Sequence, residues 1–280
     1  MIRLERVELR EILLPLKEPF QTAGGVADAR RILLLELFDA DGFSAWSECV
    51  ADTRPGYSAE TVDTCWQSLS DVILPCVLGR EYSSAAAVHD SLIDRTSNQP
   101  MARAAAEMGA WALESLTCDL PLASLLARES GDPGTIAGGP RHSVETGIAL
   151  GMHDSPSALA DRAASALREG YRRIKLKVSP NHDVEFVRTV RDVLGARAPL
   201  SVDANCSYAN AGDSGLRALY ALDEFGLSMI EQPFARDDFE RHAELQRSIA
   251  TPVCLDESID DDSSVTEMLA HGSGRVVNLK

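Results

Sequence analysis

Basic residues are in short supply: 27 Lys and Arg stand against 43 Asp and Glu, a formal net charge of −16 and a sequence pI near 4.8. That deficit argues against nucleic acid or an anionic membrane surface as a partner. Long apolar runs are also missing. The longest, Ile32 to Phe38, is interrupted by Glu36 and falls well short of the roughly 18 residues that read as a membrane span. The N-terminus, Met1 to Arg10, mixes both charge signs with alternating apolar residues, so it lacks the basic start and unbroken apolar core of a secretory signal and reads as a first strand. The six cysteines, Cys49, Cys65, Cys76, Cys118, Cys206 and Cys254, include no C-x-x-C pair, and the expectation is reduced thiols in a cytoplasmic protein. No Gly-x-Gly-x-x-Gly follows any strand-like segment, which weakens a dinucleotide-binding reading.

With 45% hydrophobic and 25% charged residues, the chain can bury a sizeable core in one large domain or two smaller ones. Up to about Val50 the pattern is strand-like, over Arg3 to Leu14, Arg31 to Phe38 and Phe43 to Val50, with Gly24-Gly25 and Asp41-Gly42 as turns. Helical spacing follows over Ser58 to Leu78, with Ser58 at its start, and over the Ala-rich Met101 to Leu116. Trp46, Trp66 and Trp111 are expected to pack within this first domain. The Gly/Pro-rich segment Gly131 to Pro140 marks a boundary. The expectation is an α+β capping domain over 1–130 and a catalytic domain over 131–280.

Beyond the boundary, short apolar runs alternate with amphipathic segments. Strands are expected at Val144–Leu150, Arg172–Val178, Leu200–Ala204, Met229–Gln232, Pro252–Leu255 and Val276–Leu279, with helices such as Ser157–Glu169 and Val184–Leu194 between them. This alternation predicts a parallel sheet with right-handed crossovers. The strand ends recur about every 25 residues, the period of a closed (β/α) barrel. Such a barrel needs eight units and only six strands fit, so the chain is expected to be a barrel truncated after its sixth strand.

In such a barrel the C-terminal strand ends converge on one mouth. Here they carry Lys175-x-Lys177, Asp203-x-Asn205, Glu231, Asp256-Glu257 and Lys280. Positions i and i+2 of a strand share a face, so Lys175 pairs with Lys177 and Asp203 with Asn205. The carboxylates Asp203, Glu231 and Asp256 on consecutive strands form an all-oxygen set that suits Mg²⁺. Any one of these residues could be an ordinary solvated loop residue; five consecutive charged strand ends are hard to obtain by chance. The histidines, His89, His142, His153, His182, His242 and His271, show no ligand spacing and read as surface or core residues. The acidic run Asp260–Asp262 reads as a helix start.

The segments Arg173-Ile-Lys-Leu-Lys-Val178, Val202-Asp-Ala-Asn205, Ile230-Glu-Gln-Pro233, Cys254-Leu-Asp-Glu-Ser258 and Val277-Asn-Leu-Lys280 resemble the strand-end motifs of the enolase superfamily, muconate lactonizing enzyme subgroup. Within it the chain is most similar to the o-succinylbenzoate synthase and N-acylamino acid racemase branch. The resemblance implies a TIM-like (β/α) barrel with an N-terminal α+β cap. It implies abstraction of a proton α to the carboxylate of a small-molecule substrate through an enediolate intermediate, on Mg²⁺, with Mn²⁺ as an alternative, held by Asp203, Glu231 and Asp256. Lys177 would be the base and Lys280 the acid or charge stabiliser. Lys175 would help keep Lys177 neutral. Asn205 would order a metal-bound water or substrate oxygen and Glu257 would pair with Lys280, though each also fits a plain structural role. Phe20, Thr22 and Tyr57 resemble lid residues over the mouth, and Phe20 and Tyr57 fit a core role equally. Family members commonly form homo-oligomers.

The implied reaction is dehydration of 2-succinyl-6-hydroxy-2,4-cyclohexadiene-1-carboxylate in menaquinone biosynthesis. Racemisation of N-acylamino acids or epimerisation of dipeptides would use the same lysines, and the residues leave these open. A reading of another class, a non-catalytic barrel, is disfavoured by the intact lysine and carboxylate set; inactivity of a barrel truncated after six strands, with unpaired edges and exposed core, stays open.

Overall fold

The computed structural model describes residues 1–96, 98–129 and 143–279. The expected boundary segment, His142 and Lys280 lie outside the described residues. The chain divides into two compact units, Met1–Lys17 with Ala29–Ser143 and Glu18–Asp28 with Val144–Lys280.

β1 (Ile2–Thr22), β2 (Gly25–Asp39) and β3 (Ser44–Cys49) join β4 (Glu81–Tyr82) in a sheet of order β3-β2-β1-β4, which lies in the first unit except for the β1–β2 hairpin end, Glu18–Asp28, counted with the second. β2 and β3 pair antiparallel, with Leu33 opposite Cys49 and Leu37 opposite Ala45. Alternate residues Leu33, Leu35 and Leu37 are fully buried, as expected of a sheet with one face on the core. The strands β1 and β2 run longer than their hydrophobic patterning. β4 covers only Ile2 and Arg3 of β1, so the rest of that edge tolerates Pro15 and Pro19, which have no N–H to donate.

The helical segments of this unit are α1 (Val62–Ser68), a π-helical turn (Leu69–Ile73), α2 (Leu74–Val77), α3 (Ala85–Ile93), α4 (Pro100–Thr117) and α5 (Leu122–Glu129). The expected helix start at Ser58 is corrected to Thr61, which forms a reciprocal capping box with Thr64. Ser58 instead accepts a hydrogen bond from the Glu60 N–H. The Glu60 carboxylate takes the Met101 and Ala102 N–H groups at 2.8 and 3.1 Å, capping α4 from a distant segment. α4 buries Ala102, Ala105, Ala106, Ala110 and Leu113. Its Gly109 lies so close to Leu37 that a Cβ there would collide with the leucine side chain. Trp46 and Trp66 are 48% and 39% exposed, so the expectation that they pack internally is corrected for both; Trp111 is half-buried.

The second unit is a parallel six-stranded sheet of order β10-β9-β8-β7-β6-β5. Its strands are β5 (Gly147–Leu150), β6 (Arg173–Lys177), β7 (Leu200–Asp203), β8 (Ile230–Glu231), β9 (Val253–Leu255) and β10 (Val276–Val277). Between them lie α6 (Pro156–Arg168), α7 (Val184–Leu194), α8 (Gly212–Leu222), α9 (Phe239–Ser248) and α10 (Asp262–His271). Among the described residues the sheet is open, without the pairing of first and last strands that would close a barrel. Ile174, Leu176, Val202, Ile230, Val253 and Leu255 form its core with the apolar faces of the helices. Asp261 caps α10, so the acidic run begins a helix as its position suggested. No described helix is long and apolar enough to cross a membrane.

Candidate active site

Strand register assembles the site. Lys177 lies opposite Asp203, Asp203 opposite Glu231, and Glu231 opposite Cys254. Side chains at paired positions leave the sheet on the same face, so the base candidate and two carboxylates form one row. Asp256, two residues past Cys254, returns to that face, and Lys175 shares it with Lys177.

Within the row the cations and anions are in direct contact. Lys177 Nζ donates to Asp203 Oδ2 and to Asn205 Oδ1, both at 2.6 Å. Lys175 Nζ donates to both Glu231 oxygens at 3.0 Å and lies 3.2 Å from the same Asp203 Oδ2. Asn205 continues the chain, its Nδ2 donating to Glu257 Oε1 at 3.0 Å. The Asp203 and Glu231 side chains are almost entirely buried, where a charge persists only if it is paired.

The titration behaviour follows from that burial. For Lys175, burial lowers the ammonium's affinity for its proton, but Asp203 and Glu231 more than offset it, and its pKa is raised. Its charge is therefore taken up by two acids. For Asp203 the cost of burial is outweighed by Lys177 and Lys175, and its pKa is lowered. Glu231 is pushed up to about 6 by burial and then by Asp203, with Lys175 opposing. Asp256 and Glu257 are raised chiefly by burial, against hydrogen bonds from Asn278 and Asn205 respectively.

The donor set suits a hard divalent cation: three carboxylates from neighbouring strand ends, all oxygen. Glu257 Oε2 is buried with no hydrogen-bond partner among the described residues. As described, no three His, Cys, Asp or Glu side chains among these residues are gathered into a ligand group. Instead, Lys175 Nζ bridges Glu231 and Asp203, and Asn278 Nδ2 bridges Glu231 Oε1 and Asp256 Oδ2 at 3.3 and 3.1 Å.

Of the remaining candidates, Phe20 and Thr22 lie at the end of β1 within the second unit, and Thr22 Oγ1 accepts the Gly24 N–H at the hairpin turn. Tyr57 is 39% exposed in the loop between β3 and α1 of the first unit, so the core role is corrected for it. The partner expected for Glu257, Lys280, is outside the described residues.

Three residues around the row were not singled out by sequence. Asn278 carries a sequence signal, since it stands two residues before Lys280 in Val277-Asn-Leu-Lys280. Gln232, inside Ile230-Glu-Gln-Pro233, has no polar spacing of its own. His242 is wholly buried: Nδ1 donates to the Asp238 carbonyl at 2.7 Å and Nε2 accepts the Phe234 N–H at 3.2 Å. Nothing in its spacing marks it as the support of the loop after Glu231. Backbone strain marks the same region. Asn205, Cys206 and Gln232 adopt φ of 43°, 63° and 39°, a left-handed conformation that non-glycine residues hold only where surroundings impose it.

Comparison with known proteins bears on this geometry. Residues 5–127 match the mandelate racemase / muconate lactonizing enzyme N-terminal domain, and residues 158–280 match the enolase C-terminal domain-like family. The chain is 37% identical over 279 residues to the o-succinylbenzoate synthase of Geobacillus stearothermophilus, covering all of this chain and 70% of that protein. It is 40% identical over 279 residues to the N-succinylamino acid racemase of Thermus thermophilus, covering all of this chain and 71% of the relative. A solved enolase-superfamily member from Listeria innocua superposes with a TM-score of 0.88 at 30% identity, over 100% of this chain and 71% of that one. The chain belongs to the enolase superfamily, with the N-terminal capping domain and parallel α/β domain of its mandelate racemase and muconate lactonizing enzyme group.

Proposed function

We propose that the chain carries out divalent-cation-assisted removal of a proton α to a substrate carboxylate, with o-succinylbenzoate synthesis, a dehydration, as the leading reaction. The observation that carries the chemistry is the registered row of Lys177, Asp203 and Glu231, with Lys175 on the same face. The product assignment is supported by o-succinylbenzoate synthases similar over the whole chain at 37% and 34% identity. The reading takes the six parallel strands as part of a (β/α) barrel whose strand ends face one mouth.

Enolase-superfamily sites pair a Lys or His base with Mg²⁺. Asp203, Glu231 and Asp256 would hold the cation. When bound, it supplies positive charge beside the substrate carboxylate, where negative charge grows as the α-proton leaves.

The chain's own residues prepare the proton transfer. An ammonium has three donor positions; Lys177 commits one to Asp203 and one to Asn205, leaving a single direction for the substrate carbon. Lys280 is the second acid–base group of the reading. The free state of all six cysteines suits a reducing cytoplasm.

N-succinylamino acid racemisation is the second reading, favoured by relatives at 40% and 38% identity. Both readings predict exchange chemistry at an α-carbon. Proton NMR in D₂O with Mg²⁺ and a panel of N-succinylamino acids, beside an assay of the dehydration substrate, tests them. Turnover or exchange that EDTA abolishes is the expected result. A folded protein that neither exchanges the α-proton nor forms o-succinylbenzoate overturns the proposal.

A further inference from the structure

Gln232 follows Glu231 at the end of β8 and is wholly buried. Its φ of 39° places the backbone in a region that glutamine rarely adopts. Six hydrogen bonds impose that conformation. The side-chain Oε1 accepts the Asp256 N–H at 2.9 Å and the Ser258 N–H at 3.2 Å. Nε2 donates to Ser258 Oγ at 2.6 Å and to the Phe234 carbonyl at 3.3 Å. The backbone carbonyl accepts the Cys206 N–H at 2.8 Å, and the backbone N–H donates to the Cys254 carbonyl at 2.9 Å. With two N–H donors on one side and a carbonyl and a hydroxyl on the other, only one orientation of the amide satisfies its surroundings.

These partners are not one local cluster. Cys206 lies in the loop after β7, which carries Asp203; Phe234 lies in the loop after Glu231; Asp256 and Ser258 lie in the loop after β9. A single side chain and its own peptide groups thus join the backbones that bear all three carboxylates. Lys175 and Asn278, by contrast, join the carboxylates only through their side-chain tips. Side-chain torsions can change when those tips leave, while the backbone spacing is held by Gln232. Ligands held in place beforehand bind a cation with less reorganisation.

We propose that Gln232 is a positioning residue that sets the spacing of Asp203, Glu231 and Asp256 for a divalent cation, an inference that rests on the reading of those carboxylates as the cation's ligands. A glutamine that only stabilised the fold would affect melting and leave cation affinity alone. Gln246 provides that comparison: it is a buried glutamine at the other end of β9, accepting the Val253 N–H at 2.7 Å and donating to the Thr251 carbonyl at 3.3 Å.

The test is Mn²⁺ titration of the full chain, followed by the electron paramagnetic resonance of free Mn²⁺, below the onset of melting. Gln232→Met keeps the length and volume and removes every side-chain hydrogen bond. Its Kd for Mn²⁺ is expected to rise about 10- to 100-fold. Ser258→Ala removes only the hydroxyl partner and is expected to raise it severalfold, which preserves the test if Gln232→Met does not fold. Gln246→Met is expected to melt earlier and bind Mn²⁺ as the wild type does. Wild-type affinity in folded Gln232→Met, or in Ser258→Ala where the first variant does not fold, overturns the inference and leaves the cation reading standing. A wild-type protein that does not bind Mn²⁺ overturns the cation reading and this inference with it.

Discussion

Lys175 Nζ lies 3.0 Å from both carboxylate oxygens of Glu231. The pair is buried at the acid's end and partly open at the lysine's, with side-chain exposures of 1% and 26%. Removing one partner of such a pair leaves a charge without compensation, which costs more than the pair itself contributes. In EDTA, Lys175→Met is expected to lose on the order of 3 kcal/mol of stability in urea denaturation, the low end for breaking a buried ion pair. Added Mg²⁺ is expected to stabilise the variant more than the wild type, because it neutralises carboxylates that the variant leaves exposed to one another. A variant as stable as the wild type in EDTA would show that this ion pair is energetically idle.

Lys177 and Asn205 make the second prediction. Lys177→Ala is expected to reduce α-proton exchange in D₂O by about 10²- to 10⁴-fold, the range of a single general base, while the folded variant still binds Mn²⁺. Asn205→Ala removes one of the two acceptors that aim Lys177 and is expected to slow exchange by about tenfold. Exchange at the wild-type rate in Lys177→Ala would remove it as the base.

Much of this arrangement is legible in the sequence, for a definable reason. Strand ends spaced about 25 residues apart, each bearing a lysine or carboxylate, already place Lys175, Lys177, Asp203, Glu231 and Asp256 at one end of a parallel sheet. The period-2 rule then gives their common face. The supports of the site obey no such rule. Gln232 and His242 bond backbone groups of loops, and which backbone group a buried amide or imidazole meets is decided by tertiary contact. α1 starts beyond the expected Ser58 for a similar reason. Glu60, which would complete a local helix start, instead reaches 41 residues along the chain to Met101, leaving the cap to Thr61. Trp46 and Trp66 show that a large aromatic need not be internal.

His242 supplies a pH dependence whose sign follows from its burial. Burial pushes its pKa down to about 4, with Asp238 pulling the other way. The ordinary value is 6.5, so between pH 6.5 and 4 the unfolded chain binds a proton that the folded chain does not. Stability from this group is therefore complete above pH 6.5 and falls as pH drops toward 4, by about 3 kcal/mol over the full window. His242→Gln, which does not titrate, is expected to be less stable than the wild type at pH 7 and to lose that disadvantage as pH falls toward 4. Urea midpoints for the two proteins across this range measure it; a constant difference would mean that the buried imidazole does not govern acid sensitivity.

Gly151 follows β5 where the β1–β2 hairpin end meets the parallel sheet, and the next residue, Met152, donates its N–H to the Gln21 carbonyl at 2.9 Å. A Cβ on residue 151 would stand 2.9 Å from Gln21 O and 3.0 Å from Gln21 N. Both are backbone atoms, so relief requires that the segment bearing Phe20 and Thr22 shift as a unit. If that segment closes over the substrate, Gly151→Ala is expected to raise KM by about tenfold, the effect of roughly 1.4 kcal/mol, within the usual cost of overpacking. Amide hydrogen exchange at residues 20–24 is expected to quicken while the strands β6 and β7 stay protected. Faster exchange at 20–24 with an unchanged KM would detach this hairpin end from substrate binding, and unchanged exchange would show that the sheet accommodates the methyl group without moving it.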